Sequence, residues 1–229
     1  MLETCQDELE TLIEEALQGE NFDPDQLSQS VRNLIDKEFG HRSQHHKTID
    51  FSTAFQELYQ KMSPEFHFRR VEINIDIQEA LPSLLMPTDV LNKIMEGLVK
   101  NAIENTPDQG RIDICAQTQD KGILFKVHDF GVGIETDDQK RIFEGFFTTQ
   151  ETLLYSTKTP FDFNAGGKGA DLLRMKLFAD RLGFTIKIDS KRCCFLVENK
   201  EETCPGDILK CQFCTCQEDC LASGHTLFS

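Results

Sequence analysis

The sequence has no apolar run approaching the roughly eighteen residues that a membrane-spanning helix needs. Its first residues, Met1-Leu2-Glu3-Thr4-Cys5, carry neither the basic nor the apolar region of an export signal. A cytoplasmic chain with no membrane insertion of its own is therefore expected. Basic charge is scarce too: 24 Lys and Arg stand against 39 Asp and Glu, a formal net charge of −15 with a pI near 4.8. That deficit argues against nucleic acid or an anionic membrane surface as a partner. An acidic chain that binds a nucleotide must hold the phosphates with local donors, namely backbone N–H groups and one or two lysines. Internal repeats and low-complexity segments are also missing, which sets aside solenoids and compositionally biased tails.

What remains is an ordinary globular balance, 28% charged and 39% apolar over 229 residues. This is enough for one good core with appendages. Leu9, Leu12, Ile13 and Leu17 fall at helical spacing, Asp23-Pro24-Asp25 resets the chain, and Leu27, Val31, Leu34 and Ile35 resume it. Residues 1–47 thus read as a helical hairpin ending in the His-rich stretch His41 to Lys47. A further amphipathic helix follows over Ser52 to Met62, then an alternating strand over Val71 to Ile77. Pro87-Thr88-Asp89 precedes a helix with Leu91, Ile94, Met95, Leu98 and Ala102 on its apolar face. Two strands come next, Arg111 to Gln117 and Gly122 to His128, joined by a turn at Asp120-Lys121-Gly122. After about 40 residues without a strong element, a helix is expected over Asp171 to Leu182. A last hairpin pairs Phe184 to Ile188 with Cys193 to Val197. Helices mixed with mainly antiparallel strands indicate an α+β two-layer sandwich, with residues 48–200 as the main domain.

Three segments carry chemistry. On the helix from Val90, residues Gly97, Asn101, Glu104 and Asn105 share the face opposite the apolar stripe. At the end of a strand comes Asp129-Phe130-Gly131-Val132-Gly133-Ile134, where a carboxylate can accept a hydrogen bond from an adenine amino group and glycines let backbone approach the base. Ala165-Gly166-Gly167-Lys168-Gly169 then opens a helix, offering free N–H groups and a positive dipole end to phosphates. Singly, each segment also reads as a solvated face, a tight turn or a flexible loop.

Their order and spacing resemble the GHKL superfamily of Bergerat-fold ATPases. The asparagine box is matched by Glu96 to Pro107, the first glycine box by Asp129 to Gly133 and the second by Gly167 to Leu172. Between them, Arg141 to Thr149 looks like the phenylalanine box of sensor histidine kinases. The resemblance implies ATP with Mg²⁺ as cofactors. Asn101 would coordinate Mg²⁺, Asp129 would read adenine, and Gly131 and Gly133 would line the base pocket. Gly167, Lys168 and Gly169 would hold the phosphates, and residues 135–166 would form an ATP lid. Phe143, with Phe146 and Phe147, would anchor that lid beside the nucleotide, and Asn105 would share the polar work of the pocket. Asn101 and Glu104 are the residues assigned to catalysis, the transfer of the ATP γ-phosphate to a histidine and onward to a response regulator. The same motifs also suit a GHKL serine kinase of the anti-sigma type or a catalytically weak nucleotide-binding regulatory module.

The chain departs from the family in three places. Gly97 stands where Asn or Glu is usual, Glu104 where a basic residue commonly faces the phosphates, and Asp171 where a third glycine is usual. No His-acidic acceptor box is present, so residues 1–47 read as a degenerate or truncated dimerisation hairpin through which a homodimer would form.

Five of the nine cysteines crowd into Cys204 to Cys220. In a chain without an export signal, such spacing reads as a metal site rather than as disulfides. Cys204, Cys211, Cys214 and Cys220 are the four expected ligands, for Zn²⁺ or an iron–sulfur cluster, in a tail over residues 201–229. Cys5, Cys115, Cys193 and Cys194 read as ordinary thiols.

Overall fold

A computed structural model of the chain describes residues 47–120, 122–143, 159–165, 170–199 and 202–229. The expected helical hairpin, His41, His45, His46 and the second glycine box residues Gly167, Lys168 and Gly169 lie outside the described residues, as do Phe146 and Phe147.

The first element is a short strand, β1 (Lys47–Ile49), followed by helix α1 (Phe51–Met62). Asp50 starts this helix by accepting a hydrogen bond from the Thr53 N–H at 2.7 Å. Phe51, Phe55, Leu58 and Met62 then recur on one face and are buried. Strands β2 (Glu72–Ile77) and β3 (Leu84–Met86) lead to helix α2 (Thr88–Asn105), entered from Pro87. Val90, Leu91, Ile94, Met95, Leu98, Val99, Ala102 and Ile103 are all buried, so α2 is covered on more than one side. β4 (Arg111–Gln119) and β5 (Gly122–Asp129) form a long hairpin. Its turn pairs Gln119 with Gly122 and holds Asp120 in the left-handed region at φ +52°. A single turn of helix, α3 (Thr136–Gln139), which the pattern did not suggest, is followed by the expected helix α4 (Ala170–Leu182).

Among the described residues, five strands form one sheet in the order β2-β4-β5-β7-β6. β2 runs parallel to β4, and every other neighbour is antiparallel. On β4, Ile112, Ile114 and Ala116 alternate inward, opposite Val127 and Phe125 of β5. The helices lie on that apolar face, and the core forms between the two layers. This is the α+β sandwich that the pattern implied.

The last hairpin is not the predicted one. β6 is Ile188–Lys191, and Cys194–Glu198 is a short helix, α5, rather than a strand. The partner of β6 is β7 (His225–Phe228), seated between β5 and β6, with Asp129 opposite Thr226 and Ser190 opposite Thr226 on its other edge. Residues 47–229 fold as one compact unit. The cysteine-rich segment from Arg192 to Gly224 is therefore an insertion between adjacent strands, and the residues after it complete the sheet. It contains α5, a turn of 3-10 helix at Ile208–Lys210 and helix α6 (Gln217–Ser223). No helix among the described residues is long and apolar enough to cross a membrane.

Candidate nucleotide site

The site begins at the C-terminal half of α2. Asn101 and Asn105 are half-buried one turn apart, and the Asn105 side-chain Nδ2 donates to the Asn101 carbonyl at 2.8 Å. The Asn105 carbonyl in turn accepts the Val132 N–H at 3.2 Å, which ties the asparagine helix to the first glycine box. Gly131 lies flat on that carbonyl, and a Cβ there would collide with Asn105 backbone and press on the Asp129 carboxylate. Gly133 sits at φ +63° with Lys191 backbone where a side chain would be. These glycines are thus demanded by packing between α2 and β6, besides any approach to a base.

Asp129, at the end of β5, is 3% exposed. The Gly131 N–H donates to its Oδ1 at 3.2 Å. Burial pushes its carboxyl up to about 8, although backbone N–H groups, that of Gly131 foremost, draw it down. A buried acid with this little compensation is poised to accept a hydrogen bond from a ligand.

The polar face expected around Asn101 is partly turned inward. Gly97 is buried because the Met175 side chain of α4 occupies the space a Cβ would need. Glu104 is 4% exposed, and its Oε1 accepts the Phe161 N–H at 3.1 Å while Lys100 Nζ lies 3.7 Å away. Its carboxyl is raised by burial, against the pull of Lys100 and Phe161. The Glu104 carbonyl also accepts the Asn164 N–H at 2.6 Å. Glu104 therefore moors the far end of the 135–166 segment to α2. At the near end Ile142 is buried and Phe143, half-buried, packs on the core.

Arg69 completes that mooring, and the sequence reading passed over it. Its side chain is 5% exposed, with Nε on Asp108 Oδ1 at 2.9 Å. Its two Nη atoms donate to the carbonyls of Ile103, Phe161 and Thr106 at 2.7 to 2.9 Å. Carbonyls at the end of α2, which no helix bond satisfies, thereby find a cation. The legible signal was an Arg69-Arg70 pair directly before a strand in an acidic chain.

The insertion packs behind the first glycine box. The Cys193 N–H donates to the Val132 carbonyl at 2.9 Å, and Arg192 Nη1 to the Gly133 carbonyl at 3.1 Å. Ser190 Oγ accepts the Ile134 N–H at 2.9 Å. Arg70 Nη2 pairs with Asp207 Oδ2 at 2.7 Å, and the Asp108 N–H donates to the Gly206 carbonyl at 2.9 Å. Pro205-Gly206 turns the chain, with Gly206 at φ +74°. Cys204, Cys211, Cys214 and Cys220 line one small cavity together with Cys193, which had read as an ordinary thiol. Cys216 is exposed at the start of α6. Burial pushes the Cys220 thiol up to about 12, and the sulfurs of Cys204, Cys193 and Cys211 add to it while Cys214 draws it down; burial also raises Cys204 and Cys214. Among the described residues no three His, Cys, Asp or Glu side chains stand already assembled as a metal centre.

Residues 87–204 match the family model described as histidine kinase-, DNA gyrase B-, and HSP90-like ATPase. The chain belongs to this ATPase family. The match runs from the start of α2 into the insertion, so it contains both the asparagine helix and Asp129. Among curated relatives of this ATPase domain, the sensor histidine kinase ZraS of Escherichia coli (strain K12) is 25% identical over 145 residues, 63% of this chain and 28% of that protein. The sensor protein CiaH of Streptococcus pneumoniae (strain ATCC BAA-255 / R6) is 26% identical over 168 residues, 72% of this chain and 35% of that protein. The chain thus spans about a third of the length of these relatives. The solved structure of the mycobacterial sensor histidine kinase MprB superposes with a TM-score of 0.53 at 16% identity, covering 80% of this chain and 94% of that one. At that identity the likeness speaks for the fold.

Proposed function

We propose that this ATPase-family chain is the ATP-binding, phosphoryl-donating part of a two-component sensor histidine kinase. The observation that carries the reading is the buried Asp129 carboxyl, backed by Gly131 and coupled through Val132 to the asparagine helix. The likeness to the sensor histidine kinase ZraS supports it. Adenine would donate a hydrogen bond from its amino group to the Asp129 carboxylate. Asn101 offers the neutral oxygen that suits Mg²⁺, an ion that keeps several waters and takes most remaining ligands from phosphates. One half-buried amide on a helix face fits that role. The bound Mg²⁺ would supply charge neutralisation on the phosphates. The protein's own share is positioning: Arg69 and Glu104 fix where the 135–166 segment ends, and Gly167, Lys168 and Gly169 are assigned the phosphates. The acceptor is a histidine imidazole and the onward partner a response regulator, in a homodimer held by residues 1–47 in the cytoplasm.

A second reading, a nucleotide-binding regulatory module with slow turnover, is favoured by one arrangement. Met175 fills the space at Gly97, and Glu104 is spent on Phe161, so two positions at which the chain departs from the family are occupied by structural duties.

Isothermal titration of Mg-ATP into the chain and its Asp129→Asn variant tests the site. Loss of a charged hydrogen bond costs about 1.5 to 3 kcal/mol, so affinity should fall at least about tenfold. Equal affinities would remove Asp129 from the pocket. Radiolabelled ATP, given to this chain beside a version extended upstream, then separates the readings: acid-labile phosphate on a histidine marks the kinase, and binding without transfer in both marks the regulatory module.

A further inference from the structure

Adjacent antiparallel strands need only a loop of roughly two to five residues, yet β6 and β7 are joined by everything from Arg192 to Gly224. That insertion has little apolar core. Leu196 and Ile208 are buried, Phe195 stacks on Phe213 at 5.6 Å, and most of the rest is exposed or half-exposed. Small units without a core of their own are usually held by disulfides or a metal. All eight described cysteines are free thiols.

Four of them come from three separate pieces of the insertion: Cys204 before the Pro205-Gly206 turn, Cys211 and Cys214 after the 3-10 turn, and Cys220 on α6. All four, together with Cys193 at the entry to α5, line the same cavity of about 30 Å³, whose remaining wall is chiefly Pro107, Phe195, Leu196, Ile208 and Phe213. Cys216, the one cysteine of the run that faces solvent, does not line it. Thiols gathered from distant positions around an otherwise apolar hole have few other uses, because a weak S–H donor gains nothing from such neighbours. The volume suits one ion. It does not suit several irons with their bridging sulfides.

We propose that Cys204, Cys211, Cys214 and Cys220 bind a single Zn²⁺ as a tetrathiolate, and that this ion staples the insertion behind the first glycine box. Loading converts four thiols to thiolates, releasing four protons to solvent and drawing the sulfurs inward around the ion. No electron moves. The resulting doubly negative centre lies near Arg192, whose guanidinium also donates to the Gly133 carbonyl, and beside Cys193, whose N–H donates to Val132. The ion therefore braces two backbone contacts to residues 132 and 133. The zinc site does not depend on the kinase reading, whereas its effect on nucleotide affinity does.

The test uses the whole chain. Elemental analysis after purification without chelator should give one zinc per chain, and mercurial titration of the thiols should release it stoichiometrically. Cys211→Ser, Cys214→Ser and Cys220→Ser should each lose the metal, while Cys216→Ser and Cys193→Ser retain it. Because ligand variants are prone to misfold, Co²⁺ loading of the chelator-stripped wild type gives an independent readout: thiolate charge-transfer and tetrahedral d–d absorption bands should appear. Zinc removal should also speed hydrogen exchange at residues 131–134 and weaken ADP binding severalfold. Negligible zinc together with absent cobalt bands overturns the site, as does stoichiometric iron with sulfide. Zinc kept by Cys214→Ser but lost by Cys193→Ser overturns the ligand set. Normal zinc with unchanged exchange at 131–134 overturns the staple.

Discussion

At the residue scale, Asp129 is the most informative side chain. Burial raises its carboxyl to about 8, above the 3.8 of an unfolded aspartate, so the folded chain holds a proton there that the unfolded chain releases near pH 4. The sign follows: this group's contribution to stability is complete below pH 3.8 and is lost as pH rises through about 8. An adenine amino group is a donor and needs the ionised carboxylate. Binding at pH 7 should therefore expel a proton. ADP titrations in phosphate and in Tris should give apparent enthalpies that differ by the buffers' ionisation heats, an effect that disappears at pH 9 and in Asp129→Asn. Buffer-independent enthalpies at pH 7 would mean that the acid is already ionised or is not contacted. The sequence made this residue legible because a strand ending in Asp followed by two spaced glycines is rare and local. Glu104 was harder to read. Its position on α2 was evident, but its direction was set by Phe161, 57 residues away, and no periodicity reports that.

At the scale of elements, the site is held by bonds from side chains to exposed helix-end carbonyls. Arg69 joins the end of α2, the 161–165 segment and the loop at Asp108 with one guanidinium. Arg69→Leu leaves Asp108 and three carbonyls without that partner. The expected cost is about 3 kcal/mol, read as a lower urea midpoint with little change in slope. Arg69→Lys should recover only part of it, since an ammonium cannot span the fork. A midpoint shift no larger than that of an ordinary surface substitution would show that the mooring is incidental. Most helices and the central hairpin were legible from apolar spacing. The last hairpin was not: Cys193 to Val197 is β-prone and sits where a partner for β6 is expected, whereas His225 to Phe228 is a four-residue alternation too short to stand out. What decides between them is the sheet, where β5 accepts Leu227 and Thr226 as neighbours.

At the scale of the whole molecule, the strand that follows the insertion is the one that joins the two halves of the sheet. β7 bonds to β5 on one side and to β6 on the other. Deleting residues 225–229 would expose two strand edges and unroof Asp129 from Thr226. The expected result is loss of cooperative unfolding by circular dichroism, because the stability of an entire domain is only about 5 to 15 kcal/mol. A truncated chain that unfolds in one sharp transition would show that β5 and β6 close without it.

The same placement governs how the domain is made. On the ribosome, β4, β5 and β6 emerge before β7, and all of the cysteine-rich insertion emerges between them. The central gap in the sheet cannot be filled until that segment has left the tunnel, and the pairing of Asp129 with Thr226 closes nearly a hundred residues of chain. During that interval β5 and β6 stand with open edges, inviting chaperones or aggregation. Expression at lowered temperature, with slower elongation and weaker edge association, should therefore favour soluble protein.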